Sequence, residues 1–344
     1  MTGETYKRPL NVSFRRGSRA ERVYRERAGL PQTEALAPGL KPHKTHDLHY
    51  HGGKLIADLH FKNFYVGGTA WHKSDKTHID AALSAAMADE HLNNVMQQYF
   101  PGAISTTFDG SEALPGNPPT TVSQTSIEQM LTTAANQGKL AGSDLKSTVF
   151  NFMLPPGTVL NDDTTGSGAK SHQEHDPADA RKKSPVPLDD DVDSLHGLGG
   201  YHGSIHLNGQ TIYYAVGVYS QVEANGTENG IPVFDKPWKN VVATFYHELN
   251  EARTDPDVED AIRAGNDPSA IKFLGWTSKQ GEECGDYPVF EAGNDLQLVF
   301  QEVELTSGKG TVPVQFQYSN HAHGPEGPVT MPDPKSHTTL PQPA

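Results

Sequence analysis

The residues best equipped for chemistry in this chain sit side by side, in Tyr246-His247-Glu248-Leu249-Asn250-Glu251 and the Ala252-Arg253-Thr254-Asp255-Pro256 that follows. They read His-Glu-x-x-Glu near the end of a predicted helix. Side chains four apart stack on one face of a helix, so His247 and Glu251 could grip one divalent ion from the same side. Glu248 could then act as general base on a metal-bound water. An imidazole with carboxylates suits Zn²⁺.

The flanks define that helix. Asn240 is a plausible N-cap, and Pro256 closes the helix soon after Thr254. At about 100° per residue, Val241, Val242, Phe245, Tyr246, Leu249 and Ala252 share one stripe, while Thr244, His247, Glu248, Glu251 and Asp255 fall opposite. The polar side either faces water, as on any amphipathic helix, or lines a cleft. His-Glu-x-x-Glu has the form of the zinc-protease helix His-Glu-x-x-His, with a carboxylate for the second histidine.

A metal site needs a further protein ligand from elsewhere. Gly275-Trp276 and Gly281-Glu282-Glu283-Cys284-Gly285-Asp286-Tyr287 offer candidates in Glu283 and Asp286. Glycines on both sides favour a tight turn over a regular strand, which lets both carboxylates approach. Glu283 has the longer reach and ranks first. Asp286 would be a second ligand or a partner of the His247 imidazole. The alternative is an acidic surface turn.

In this order, His-Glu-Leu-x-Glu-x-x-x-Asp-Pro, Gly-Trp and Glu-x-x-Asp resemble the plant Exordium (phosphate-induced protein 1) family and its bacterial zincin-like, metallopeptidase-type relatives. Phe61–Gly68 with Trp71 is similar to the family's early strand and tryptophan. Gly200-Tyr201-His202-Gly203-Ser204 before Tyr213-Tyr214-Ala215-Val216 is similar to its Gly-Phe-His-Gly segment, and Gln315–Asn320 to its ending. The resemblance covers roughly residues 55–323. It implies a zincin-like fold, metal ligands at His247, Glu251 and one of Glu283 or Asp286, and Glu248 as base. It also implies an exported protein. The relatives carry paired cysteines, whereas Cys284 is the only cysteine here, so no intrachain disulfide can form.

Composition bounds the rest. The 344 residues suffice for one large domain or two smaller ones. The net charge of −14 argues against nonspecific nucleic-acid binding. No apolar run approaches the ~20 residues of a membrane span, and no apolar signal core opens the chain. By sequence the expected compartment is the cytoplasm; by the resemblance it is extracellular.

Residues 1–30 carry eight basic residues against three acidic ones, a balance of +5 that leaves −19 for the remainder. With the Pro- and His-rich 31–54, they read as a disordered arm. There His43, His46, His49 and His51 could hold a metal loosely. The ordered body is expected over 55–323: a strand at Leu55–Val66, a helix over 75–99 and another over 124–139, then a strand at Ser147–Leu154. A solvated insertion covers 161–198, where Asp189, Asp190, Asp191 and Asp193 could attract calcium but lack the EF-hand spacing. A hairpin turns at Asn208-Gly209 before the His-Glu-x-x-Glu helix, and a second hairpin spans 296–318. Residues 324–344, rich in proline, read as a disordered tail.

The expected class is α+β, a zincin-like mixed sheet packed on long helices. The expected activity is metal-dependent hydrolysis of a peptide or protein substrate. The alternative is a non-catalytic module, metal-stabilised or metal-free. Two anionic ligands would make Zn²⁺ a weaker Lewis acid, so another divalent ion could be preferred. Cys284 as nucleophile would need a paired histidine.

Overall fold

The computed structural model describes residues 12–14, 40, 42–161, 193–265 and 267–329. In chain order the elements are β1 (Val12–Phe14), β2 (His49–Tyr50), β3 (Asp58–Tyr65), α1 (Lys73–Ala88), α2 (Glu90–Met96), β4 (Ser105–Ala113), β5 (Thr121–Ser123), α3 (Gln124–Asn136), β6 (Thr148–Met153) and β7 (Val159–Asn161). Then follow β8 (Leu198–Leu207), β9 (Gln210–Gly217), β10 (Gln221–Val222), β11 (Glu228–Asn229), α4 (Pro237–Thr254), α5 (Val258–Ala264), β12 (Trp276–Thr277), α6 (Asp286–Ala292), β13 (Phe300–Glu304), β14 (Thr311–Gln315), β15 (Gln317–Ser319) and β16 (Gly324–Glu326).

The expected α+β class holds, built on a mixed six-stranded sheet ordered β1-β8-β9-β6-β3-β4. Strands β9, β6, β3 and β4 run parallel to one another, while β8 is antiparallel to β9 and β1 antiparallel to β8. Every residue of β6 is buried, as befits a central strand covered on both faces. The β8–β9 turn is as expected: Asn208 and Gly209 both have positive φ, 52° and 75°, the type I′ conformation.

Helix α4 lies across β8 and β9 and against α1 and β14. Its stripe Val241, Val242, Phe245, Tyr246, Leu249 and Ala252 is buried in the core between sheet and helices. The five large side chains contribute about 1.5–3 kcal/mol each by area. That sum, on the order of 10 kcal/mol, fixes the rotation of the helix about its axis. With the stripe seated, the opposite face is fixed too.

Several expectations need correction. Asn240 does not cap α4. The helix opens at Pro237 after Lys236, and the Asn240 side chain instead accepts from the amides of Val233 and Phe234. The helix expected over 75–99 is two helices, because Asp89 is extended and its carboxylate accepts from the amides of His91 and Leu92, capping α2. The ordered body also begins ahead of Leu55. Leu48 is buried, His49–Tyr50 pairs with Trp276–Thr277, and Val12–Phe14 joins the main sheet. At the other end β16 pairs with β15, so the fold continues past 323. Residues 1–11, 15–39, 41, 162–192 and 330–344, which include most of the expected arm, insertion and tail and Asp189 to Asp191, lie outside the described residues. Asp193 accepts from the His196 amide and begins a single helical turn at 194–196.

Candidate metal centre

Helix α4 supplies three of the proposed residues. Thr244, His247, Glu248, Glu251 and Asp255 are all buried, His247 at 1% exposure and Glu248 and Glu251 at 0%. The face that could have met water does not. It lies beneath β8 and against the 275–287 segment.

Glycines permit these approaches. A Cβ on Gly200 of β8 would lie 2.4 Å from the Val216 carbonyl oxygen and 3.2 Å from Glu248 Oε1. A Cβ on Gly285 would lie 2.4 Å from His247 Nδ1, and one on Gly275 only 1.9 Å from the Thr254 carbonyl oxygen. Any side chain at these positions would displace the centre. The expected tight turn is present: Ser278 and Glu282 close it, with Gly281 at φ 88°. Glu283 follows directly, and its amide donates to Asp286 Oδ2 at 2.8 Å. The Gly285 amide donates to Glu251 Oε1 at 3.0 Å.

Potential ligand atoms converge as two sets that share Glu251. One is His202, Glu251 and Glu283; the other is His247, Glu248 and Glu251; within each set the atoms lie within 4.8 Å of one another. Donors on one tetrahedral ion at ~2.1 Å sit about 3.4 Å apart. His247 Nε2 is 3.1 Å from Glu251 Oε2. His202 Nδ1 is 3.4 Å from Glu248 Oε2 and 3.8 Å from Glu251 Oε2. His202 Nε2 is 3.6 Å from Glu283 Oε1. Buried polar atoms normally find hydrogen-bond partners. Yet His247 Nε2, Glu248 Oε2, Glu251 Oε2 and both Glu283 oxygens make no hydrogen bond. These atoms lie within ion-pair distance of one another, and ligands of a shared cation are placed in the same way.

The imidazole of His247 is held for this role. Gln315 Nε2 donates to the Gly285 carbonyl at 2.6 Å. That fixes the amide, so its Oε1 must face His247 Nδ1, 2.7 Å away. An amide oxygen only accepts, so Nδ1 carries the hydrogen and Nε2 points toward Glu251. Metal-binding histidines are oriented in this way.

Charge is badly unbalanced here. Glu248, Glu251, Asp255, Glu283 and Asp286 are buried beside two imidazoles. The buried Arg253 guanidinium is committed elsewhere, to the Ala57 and Ser105 carbonyls. Burial pushes the Glu283 and Asp286 carboxyls well above the usual range, and the adjacent Glu251 adds to both shifts. Burial likewise raises Asp255 to about 8, against the pull of its bond from the Gly275 amide. Burial would lower His247, but Glu251, Glu248 and Asp286 outweigh it and raise the imidazole to about 10. His202 rises for the same reason, with Glu248 and Glu251 overcoming desolvation. A divalent cation would relieve this imbalance directly.

Of the sequence-designated residues, His247, Glu248, Glu251 and Glu283 belong to these sets. Asp286 is adjacent but belongs to neither, its Oδ2 taken by the Glu283 amide. His202 was not among the designated ligands. It lies on β8, 45 positions before His247 in the sequence, so no helical spacing connects the two. The available signal was a histidine beside glycines in Gly200-Tyr201-His202-Gly203.

The other candidates fare differently. Cys284 is buried, its thiol donating to Gln317 Oε1 at 3.3 Å and raised by burial, so the nucleophile reading fails. His46 bonds to Glu282 at 2.7 Å and stacks on Tyr287, while His51 Nε2 lies 3.0 Å from Thr277 Oγ1. The His43–His51 run therefore clasps the 276–287 segment, and none of its histidines joins a three-ligand set among the described residues. No helix among the described residues is long and apolar enough to cross a membrane. Comparison with known proteins returns no matching family model, no curated relative and no similar solved structure.

Proposed function

We propose that the chain is a metal-dependent hydrolase of metallopeptidase type, with the zincin-like arrangement and the Exordium-like kinship that its motif order suggests. The observation that carries this reading is Glu283, a fully buried carboxylate with neither oxygen hydrogen-bonded, facing His202 and Glu251. An uncompensated buried carboxylate costs several kcal/mol, and a divalent ion, Zn²⁺ first, removes that cost.

Glu251 is the central ligand because both sets contain it. His247 and His202 approach it from either side, and Glu283 completes the shell from the turn after β12. When bound, the ion would polarise a substrate carbonyl and lower the pKa of a coordinated water toward ~7. Glu248 would be the group to hold the proton of such a water. Its Oε1 accepts a hydrogen bond from the Ser13 hydroxyl, and its Oε2 is left without one. Gln315 holds the His247 ring still throughout, and Asp286 fixes the Glu283 backbone.

A second reading has a specific observation behind it. All the converging groups are closed off from solvent, with His202, Glu248, Glu251 and Glu283 at 0% exposure. A shell made entirely of protein groups suits a metal-stabilised, non-catalytic module. One experiment separates the roles. Untagged protein is reconstituted with Zn²⁺ and its metal content measured in wild type and in His247→Ala, Glu251→Ala, Glu283→Gln and Glu248→Gln. Ligand variants should lose the ion, and Glu248→Gln should keep it while losing peptide hydrolysis. Failure of the wild type to hold any divalent ion would remove both metal readings.

A further inference from the structure

We propose that the outer edge of β8 above Glu248 is a strand-docking surface, and that this chain's own Val12–Phe14 occupies it as a displaceable plug. β1 pairs antiparallel with β8, setting Val12 opposite Tyr201, Ser13 opposite Gly200 and Phe14 opposite Leu198, with the register shifting after Ser13, where Gly199 of β8 is the extra residue. Here Ser13 turns inward, 4% exposed. Its hydroxyl donates to Glu248 Oε1 at 2.5 Å, with the Gly200 carbonyl at 3.2 Å as the weaker alternative.

The fit is specific on both sides. The partner of Ser13 in the ladder is Gly200, and a Cβ there would reach to 3.2 Å from the same Oε1 that Ser13 binds. Glycine leaves that space to Glu248 and to a hydroxyl arriving from the neighbouring strand. The hydroxyl thereby takes up one of the two oxygens of Glu248, Oε1, while Oε2 faces His202.

The plug is built to leave and to return. Among the described residues its pairing with β8 spans three positions. It lies within a thirty-residue stretch of net charge +5, and the remainder of the chain carries −19. Opposite charges speed re-docking and weaken with salt. The closure of a reaction centre rests on the reading of Glu248 given above. The docking of β1 on β8 does not.

The test uses the full chain, stripped of metal by chelation, with Ser13→Asp to set a carboxylate against Glu248 and Ser13→Ala to remove only the hydroxyl. The probe is a fluorescent synthetic peptide of residues 8–18, read by anisotropy, together with amide hydrogen exchange over residues 198–203. Ser13→Ala should bind the peptide about tenfold more tightly than wild type, the effect expected of losing one charge-assisted hydrogen bond from the resident strand, and Ser13→Asp more tightly still. Ser13→Asp should also exchange faster over 198–203, with Ser13→Ala in between. The same peptide carrying Asp at the Ser13 position should not bind. Equal peptide binding and equal exchange in all three proteins would overturn the plug. Peptide binding by a protein that never retains Zn²⁺ would keep the docking surface and remove the metal reading. Zn²⁺ retention with no difference among the three proteins would remove the plug alone.

Discussion

Two regions flank the central sheet, one an open cavity and the other a packed charged cluster. Beside α3 lies a cavity of about 540 Å³, lined by Val66, Leu114, Val122, Gln129, Met130 and Thr133 among others. Its lining contains no ionisable side chain, it opens to solvent, and none of the converging His or Glu residues borders it. Beneath β8 the reverse holds: five acids and two imidazoles crowd together with no comparable space. The difference shows that open volume is a poor guide to chemistry here. Neutral walls tolerate emptiness because water or nothing can occupy the space. Buried carboxylates do not, because each must be protonated, bonded or matched to a cation.

The comparison would break most visibly on metal removal. A ligand that binds only the folded state stabilises it by about 4 kcal/mol at a thousandfold excess over its Kd. Chelation should therefore lower the melting temperature by several degrees, and Zn²⁺ should restore it. A protein whose melting ignores both chelator and Zn²⁺ would make the charged cluster as passive as the neutral cavity.

Next in size is the pH response of the metal-free protein. Asp255 is raised from 3.8 to about 8, so folding binds a proton in that interval. The stability it contributes is complete below the unfolded value and lost as pH rises through 8. His247, raised from 6.5 to about 10, acts with the same sign over the interval above neutrality. The urea midpoint of the metal-free protein should thus fall from about pH 5 to about pH 9. The Zn²⁺-loaded protein should resist that fall, because ligands bind metal in their deprotonated forms. Identical profiles with and without Zn²⁺ would contradict the placement of a cation among these groups.

Much of α4 was legible beforehand, because both of its faces follow a period that sequence displays directly. The break at Asp89 was less so: the apolar spacing from Ile79 to Tyr99 continues across it, and only the capping role of one aspartate interrupts the helix. β4 was not legible at all. Its residues Ser105–Ala113 alternate only between exposed and half-buried, so an edge strand leaves almost no apolar signature. Ser13 and His202 were hard to see as parts of a site for different reasons. Ser13 reaches α4 through sheet pairing with a segment 187 residues away, which no local pattern records, whereas His202 lies on a strand packed over α4 and had only its glycine neighbours as a signal. Glu283 was legible through its glycine neighbours and the motif order, although its missing hydrogen bonds were not.

A smaller effect should follow from Gln315. Replacing it with Leu removes the acceptor for His247 Nδ1–H and the donor to the Gly285 carbonyl, without touching a proposed ligand. Partners of this kind typically change metal affinity about 10–100-fold. Competition titration with a chromophoric chelator should show Gln315→Leu weakened within that range, and Gln315→Asn weakened less if its shorter amide still reaches the ring. Unchanged affinity in both variants would mean that the ring needs no such support.

The smallest effect is expected in the neutral hollow, where it completes the contrast. Thr133 lines that cavity from α3 and is exposed. Thr133→Val changes a hydroxyl for a methyl without adding charge, burying a donor or enlarging the side chain. Surface changes of this sort normally stay within about ±0.5 kcal/mol. The urea midpoint and the Zn²⁺ affinity should both match wild type, because no ionisable group borders the cavity and no proposed ligand lines it. Loss of metal in Thr133→Val, with the fold intact by circular dichroism, would show that the cavity and the charged cluster are coupled through the sheet. It would also mean that the neutral cavity contributes to the chemistry assigned here to the charged centre alone.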